Sequence, residues 1–156
     1  MIDPDLRLQK PLEDYIELWE RLSSRSVELV IDAVSEDFSF SDPFHYGRGT
    51  QQAHKIMCHR INVFPSLHYR VHDFMWGRQE ATAYLYWTMH YTVNSGGILR
   101  KRSNDLDIEG MTQLKFLPAG QIFSHQEFWG AYQGADFKSY ARDLFEKSKA
   151  RREDKV

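Results

Sequence analysis

The sequence of 156 residues has a single cysteine, no long apolar run and almost no net charge. Cys58 alone can form neither an intrachain disulfide nor a zinc cluster, so we expect a cytoplasmic protein that is held together by packing. No apolar run approaches the roughly 20 residues that cross a bilayer. The acidic N-terminal residues also differ from a secretory signal, and we therefore expect no membrane association.

The net charge of −2 gives no general attraction for nucleic acid, and we expect none as a partner. Residues 138–156 are rich in alternating charges, which predicts a solvated helix and tail, with a basic contact surface as the alternative. The aromatic content of 14% is high for one small domain. Rings that line a concave pocket would account for it, and an aromatic core is the other interpretation.

Apolar residues with helical spacing predict three helices in the first half of the chain. These cover about 11–22, with Pro11 in the first turn, 27–34, with Ser24 or Ser26 as cap, and 50–64. A short strand at 38–43 ends at Pro43, and Gly47 and Gly49 indicate a loop. A further helix is predicted at 137–145, followed by a polar tail at 149–156.

From Ser66 onwards the apolar period becomes two, which predicts strands near 67–72, 81–93, 108–117 and 121–129. The sequence Asn94–Gly97 predicts a hairpin turn between the second and third of these strands. Helices separate from an antiparallel sheet indicate an α+β fold. We expect a curved antiparallel sheet wrapped around the N-terminal helices as a cone, a cystatin-like α+β roll with an extra C-terminal helix. One domain would cover residues 1–148, with the tail at 149–156.

Three segments carry a resemblance to a known superfamily over residues 11–131. They are Phe40–Pro43 before a glycine and a helix, Gly110–Phe116 before the Ala119–Gly120 turn, and Gln121–Trp129. In this order they resemble the cone-shaped superfamily of nuclear transport factor two, SnoaL-like polyketide cyclases, scytalone dehydratase and ketosteroid isomerase. The resemblance implies a pocket within the cone.

The resemblance to ketosteroid isomerase implies a general base at Asp42, before Pro43. An apolar pocket would raise the pKa of this carboxyl toward useful basicity. Alternatively Asp42 only turns the chain, by accepting hydrogen bonds from nearby backbone amides. The resemblance also implies that Tyr15 donates to a substrate oxygen, although its helical spacing equally predicts a core tyrosine. Thr112 stands where the isomerase has a protonated aspartate, which argues against steroid isomerase activity.

His125, Glu127 and Trp129 are spaced to project from one face of the last strand. By the resemblance that face is the inside of the cone, so His125 and Glu127 would form an acid–base set with Asp42, and Trp129 a wall. The alternative is a buried hydrogen-bonded pair without chemistry. The expected ligand is small and apolar or aromatic. The candidate ligand-binding residues are Trp87, Met89, Thr112, Leu114, Trp129 and Ile56.

We expect neither a metal nor a cofactor, because the histidines are scattered and Gly47–Gly49 is too short to hold a phosphate. Cys58 is either a nucleophile beside a histidine or a buried helical residue. The leading hypothesis is a small-molecule-binding domain with cofactor-free isomerase, cyclase or dehydratase chemistry. The alternative is a non-catalytic dimeric binding module. Under both we expect a homodimer through the outer sheet face, which carries His68, Arg70, His72, Tyr84, Tyr86 and His90.

Overall fold

The computed structural model describes residues 6–64, 66–95 and 102–130, which form three helices and six strands. The helices are α1 (Leu6–Glu20), α2 (Val27–Asp32) and α3 (Thr50–Val63). The strands are β1 (Val34–Ser41), β2 (Tyr46–Arg48), β3 (His68–Trp76), β4 (Thr82–Ser95), β5 (Arg102–Phe116) and β6 (Ile122–Trp129). The predicted C-terminal helix, the tail and the glycines of the Asn94–Gly97 turn lie outside these residues.

All six strands belong to one sheet in the order β2-β1-β6-β5-β4-β3. Strands β3 to β6 form the predicted antiparallel meander. The predicted α+β class, with a curved sheet and N-terminal helices, is confirmed, but the sheet is not wholly antiparallel. β1 pairs with β6 in parallel, with Phe40 beside His125. This pairing brings the chain segment that ends at Asp42 next to the last strand.

The first helix starts earlier than the apolar spacing predicted. It is already helical at Leu6, so Pro11 lies in its interior and not in the first turn. A proline there removes one helix hydrogen bond. Pro11 also packs on the turn before β6, because a Cβ at Gly120 would lie 2.9 Å from its Cγ. Gly120 has a φ of +94°, a conformation that glycine adopts at little cost.

Several other boundaries also differ from the sequence predictions. Val34 begins β1 and does not end α2, and Ser26 makes no side-chain cap hydrogen bond. Residues 46–48 of the predicted glycine loop form β2. β5 is longer than expected, because Asn94 and Ser95 continue β4 and pair with Ser103 and Arg102.

The core lies between the inner face of the sheet and the helices. On β4 the predicted inward face is buried, at Leu85, Trp87, Met89 and Tyr91. Helix α1 packs against β3 and helix α3 against β1, so both helices close the same face of the sheet. Within the described ranges, no helix is both long enough and apolar enough for a membrane span.

Candidate functional site

An arginine on the buried face of α3 is the centre of an ionic network inside the fold. Arg60 continues the buried spacing of Ala53 and Met57, and its side chain is 7% exposed. One guanidinium nitrogen, Nη2, donates to Asp42 Oδ2, and Nη1 donates to the hydroxyl of Tyr69. The guanidinium also donates to both oxygens of Glu127, from Nη1 to Oε1 at 3.0 Å and from Nη2 to Oε2 at 3.1 Å. A single cation therefore bridges two buried carboxylates.

Asp42 is placed by a turn directly after β1. Its Oδ1 accepts hydrogen bonds from the backbone N–H groups of Phe44 and His45, both at 2.7 Å. The Nδ1 of His45 lies 3.0 Å from each carboxylate oxygen. Asp42 thus makes the backbone hydrogen bonds that a chain-turning role requires. Its carboxylate also contacts the imidazole of His45 and the guanidinium of Arg60.

Glu127 links this network to a second histidine, on the same strand β6. Its Oε1 lies 3.2 Å from His125 Nε2, and its Oε2 accepts from the indole of Trp129 at 2.9 Å. The other ring nitrogen of His125 lies 3.0 Å from the hydroxyl of Tyr15. A tautomer with the proton on Nε2 satisfies both contacts, because His125 then donates to Glu127 and accepts from Tyr15.

The charges of this network set the direction of each pKa. Burial opposes ionisation of Asp42, but Arg60 and the hydrogen bonds from His45 and Phe44 outweigh it, and the pKa of Asp42 falls below its usual range. Burial likewise opposes ionisation of Glu127, and Arg60 again lowers its pKa. Burial lowers the pKa of His125, although Glu127 partly offsets the effect. The expectation of a raised pKa at Asp42 was wrong, because it did not include Arg60.

A cavity of about 420 Å³, including space open to solvent, lies against Asp42. Its walls are mainly apolar and aromatic. The lining residues are Asp42, Phe44, His45, His59, Arg60, Phe64, Met89, Tyr91 and Trp129. Only about 30 Å³ admits the centre of a water molecule, so the open space is narrow. We call this space the Asp42 cavity.

The interior behind the Asp42 cavity is filled by side chains. A second space, the inner void, offers about 10 Å³ to the centre of a water molecule, against the 30 Å³ of the Asp42 cavity, and has His125, Glu127, Trp87 and Thr112 in its wall. This is close to the least volume that holds one water molecule. The Thr112 hydroxyl accepts from the indole of Trp87 at 2.8 Å. Stacked and tilted rings of Trp19, Phe40 and His125 occupy the rest.

The sequence-predicted site residues are therefore divided between two spaces. Asp42, Met89 and Trp129 line the Asp42 cavity, whereas His125, Glu127, Trp87 and Thr112 border the inner void. Asp42 and His125 share one buried network but not one cavity. Tyr15 is buried and reaches the network through His125. Leu114 and Ile56 border neither space; Leu114 is in the core, and Ile56 packs near Gly47.

Three residues of the network were missed by the sequence predictions: Arg60, His45 and Tyr69. Arg60 had a detectable signal, since it shares the buried helical spacing of α3 with Ala53 and Met57. His45 stands three residues after Asp42, within reach of a turn-forming carboxylate. Tyr69 is buried on β3 and alternates with the exposed His68 and Arg70, a spacing that by itself indicates only a core residue.

Cys58 has a histidine beside it, as the nucleophile interpretation required. Its Sγ lies 3.7 Å from both ring nitrogens of His54, whose Nε2 contacts Glu28 at 2.7 Å. Burial raises the pKa of the Cys58 thiol, with a further contribution from Glu28. A raised pKa leaves less thiolate at neutral pH, which makes the thiol a poor nucleophile. Among the described residues, no three His, Cys, Asp or Glu side chains converge on a metal-binding position.

Comparison with known proteins adds a family to this geometry. A family model described as the SnoaL-like domain matches residues 12–125. No protein of curated function matches the chain.

Solved structures of the same fold cover most of the chain. One is SalBIII, an epoxide hydrolase/cyclase-like enzyme with a role in pyran ring formation in the polyether salinomycin. It is 16% identical with a TM-score of 0.66 and covers 85% of this chain and 97% of its own. A nuclear-transport-factor-two-like protein of unknown function from Exiguobacterium sp. 255-15 is 11% identical with a TM-score of 0.61, and the match covers 77% of this chain and 98% of its own. The phenazine biosynthesis-related protein PhzB2 from Pseudomonas aeruginosa is 11% identical with a TM-score of 0.64, and the match covers 85% of this chain and 83% of its own. These likenesses agree in fold, and the match over residues 12–125 shows that the chain belongs to the SnoaL-like domain family.

Proposed function

We propose that this chain binds a small apolar or aromatic ligand in the Asp42 cavity and performs cofactor-free acid–base chemistry on it. The reaction class is that of an isomerase, cyclase or dehydratase acting on an oxygen-bearing ligand. The observation that carries the proposal is the Asp42–His45 pair at the wall of an apolar cavity. A carboxylate that orients an imidazole is a common arrangement for proton transfer.

His45 is the proton-transferring residue in this proposal. Its Nδ1 faces Asp42, so a proton on Nδ1 leaves Nε2 to accept a proton from the ligand. Asp42 then fixes the ring and stabilises the imidazolium that forms. Arg60 keeps Asp42 ionised for this role. The side chain of His45 is 20% exposed, which allows contact with an entering ligand.

Glu127, His125 and Tyr15 act as positioning residues behind the cavity. Glu127 holds Arg60 with two hydrogen bonds, and His125 and Tyr15 extend the chain of hydrogen bonds into the core. A network in which every member is paired gives a rigid support for Asp42. In this proposal His125 does not contact the ligand, and it acts on Asp42 only through Glu127 and Arg60.

The cavity wall indicates the class of ligand. The ring centroids of Phe44 and Trp129 are 5.4 Å apart in an edge-to-face arrangement, and those of Phe64 and Tyr91 are 4.7 Å apart. Such walls favour a flat, largely apolar ring system with an oxygen toward His45, and because the open space is narrow, the side chains of the wall have to move apart to admit it. The ring-forming role of SalBIII supports a cyclase-type reaction as one member of the proposed class.

Deuterium exchange tests the proposal without knowledge of the natural ligand. Loss of a proton next to a carbonyl is a first step shared by isomerisation, aldol-type ring closure and dehydration. The protein is incubated in D₂O with a panel of aromatic and polycyclic ketones, and exchange is followed by proton NMR. We expect accelerated exchange for some of the panel, and a loss of about 10²-fold or more in His45→Gln and Asp42→Asn.

His54→Gln, on α3 and outside the lining of the Asp42 cavity, is the matched control and should exchange as the wild type does. Ligand line broadening measured in the same samples separates binding from chemistry. Binding with no exchange would favour the non-catalytic module, and no binding at all would refute the proposal.

The outer sheet face supports the second candidate function, a homodimeric binding module. Tyr86, Met111 and Phe128 stand in one row across three strands and are 39%, 39% and 49% exposed. Exposed apolar and aromatic residues in a row favour a protein contact. We therefore propose a homodimer through this face under either function. Sedimentation equilibrium should give a dimer that Tyr86→Glu weakens.

A further inference from the structure

A second histidine stands at the wall of the Asp42 cavity, on a different element from His45. His59 lies on α3, directly before Arg60, and lines the cavity together with His45. The ring centroids of the two histidines are 6.1 Å apart, and their planes are inclined by 67°. The cavity therefore has two imidazoles at its wall, whereas removal of a proton from the ligand by His45 uses only one.

Loss of one proton does not complete the reactions of the proposed class. A ligand that gives a proton to His45 and takes one back at the same carbon has only exchanged hydrogen with the solvent. Isomerisation also needs a proton at a second carbon, and dehydration needs one on the leaving hydroxyl. The site therefore needs a second group that donates a proton while His45 holds the first.

The position and chemistry of His59 fit this second role. A proton is transferred over a hydrogen bond of about 2.6–3.2 Å, so two rings at this separation can contact different atoms of one ligand. Asp42 assigns the base role to His45, because its carboxylate lies 3.0 Å from the Nδ1 of that ring and stabilises the charge gained with a proton. An imidazolium also gives up a proton far more readily than the guanidinium of Arg60 or the phenol of Tyr91, which line the same cavity.

We propose that His59 is the catalytic acid that completes the reaction begun by His45, and that a β,γ-unsaturated aromatic ketone is the class of substrate the pair serves. This inference deepens the proposed function and rests on it. His45 Nε2 takes a proton from the α carbon, and the electron pair of that C–H bond forms a conjugated enolate. Protonated His59 gives its proton to the γ carbon, where a new C–H bond forms as the double bond moves into conjugation with the carbonyl. Transfer of a proton from His45 to His59 through solvent water restores the starting state.

Allyl phenyl ketone is a probe that reports both steps in one sample. In D₂O, proton NMR follows deuterium uptake at the α carbon from the first step and formation of phenyl propenyl ketone from the second. We expect the wild type to catalyse both, and His59→Gln to lower the ratio of isomerisation to exchange by about 10²-fold. Weaker binding of the probe lowers both rates together, so the ratio separates a lost proton donor from a disturbed cavity wall. His45→Gln should instead lower both rates.

His54→Gln is the matched control, because it changes the same residue type on the same helix outside the lining of the Asp42 cavity. It should keep the wild-type ratio. A label experiment on the wild type decides the question if His59→Gln folds poorly by circular dichroism. Probe deuterated at the α carbon is isomerised in ordinary water, and the γ carbon of the product should carry hydrogen from the solvent.

The outcomes separate this inference from the proposed function. Deuterium kept at the γ carbon would show that His45 alone carries the proton across, and would refute the role of His59. An unchanged ratio in His59→Gln, or a wild type that exchanges ketones without isomerising the probe, would also refute it. Each of these results leaves the proposed function standing. A wild type that exchanges no ketone refutes the proposed acid–base chemistry and this inference together.

Discussion

At the scale of single residues, Arg60 decides the electrostatics of the site. Its guanidinium contacts both Asp42 and Glu127, whose side chains are each 1% exposed. Two carboxylates this deeply buried would resist ionisation without a cation between them. Arg60 keeps both charged and so determines what acid–base chemistry this part of the fold can support.

Removal of Arg60 is expected to destabilise the protein strongly. Arg60→Met leaves two buried carboxylates without their partner, which costs on the order of 3–5 kcal/mol in the free energy of unfolding. Urea denaturation followed by tryptophan fluorescence measures the loss. Lys55→Met removes an exposed cation from the same helix and should change stability by less than about 0.5 kcal/mol. Equal stabilities of the two variants would contradict this account of Arg60.

Sequence reasoning reached some members of this network more easily than others. Alternation along β6 is enough to place His125 and Glu127 on one face, because side chains in a strand have a period of two. Asp42 could be identified as a candidate because it precedes Pro43 at the end of a short strand. The partners of Arg60 are distant in the chain, 18 positions away at Asp42 and 67 at Glu127, so its buried helical spacing shows that it faces inward but not what it contacts. His45 stands only three residues after Asp42, and its contact is a local one.

At the scale of elements, the long pairing of β4 with β5 forms the centre of the meander. Trp87 pairs with Gly110, and its indole covers the position where a Gly110 side chain would be. A Cβ there would lie 2.5 Å from Trp87 Cζ2. Glycine at this point lets a large ring lie flat on the neighbouring strand, and the ring in turn holds the Thr112 hydroxyl.

Gly110→Ala should therefore cost about 1–3 kcal/mol, because the buried indole has to move. Gly47→Ala is the comparison, since its added Cβ would meet the flexible end of Ile56 at 2.7 Å. We expect the second variant to lose less stability than the first in thermal unfolding. A reversed order would show that the Trp87 ring is free to adjust.

The elements themselves were mostly predictable, and their ends were not. Apolar periodicity identified all three described helices and the four strands of the meander. It placed the start of α1 too late, because Pro11 was interpreted as a first-turn residue and not as an interior residue that packs on Gly120. It also missed β2 and the parallel pairing of β1 with β6, which depend on contacts between remote segments.

At the scale of the whole molecule, the buried network makes stability depend on pH. The folded pKa of His125 lies below the ordinary 6.5, and those of Glu127 and Asp42 lie below 4.5 and 3.8. At each group the unfolded chain therefore binds a proton before the folded chain does. On the acid side, the free energy of unfolding therefore decreases as the pH falls below about 6.5.

Urea titrations from pH 7.5 to pH 4 measure this dependence. We expect a first decrease as the pH passes below 6.5, from His125, and a steeper one near 4.5 and below, from the two carboxyls. His125→Gln should remove the part of the first decrease that belongs to this residue and keep the second. Stability that rises on acidification from pH 7 to pH 5 would contradict the predicted direction.

The contacts of the early elements with β6 also have a consequence for how the protein is made. Tyr15 and His125 are 110 positions apart in the chain, and Arg60 and Glu127 are 67 apart. On the ribosome, the early helices and β1 must wait until the last strand has left the exit tunnel before their polar groups meet their partners. Because contacts between such remote segments form slowly, Asp42, Arg60 and Tyr15 spend the period of synthesis without their final environment. Until β6 is made, the edge of β1 that it later covers stays unpaired, and an unpaired strand edge is prone to aggregation.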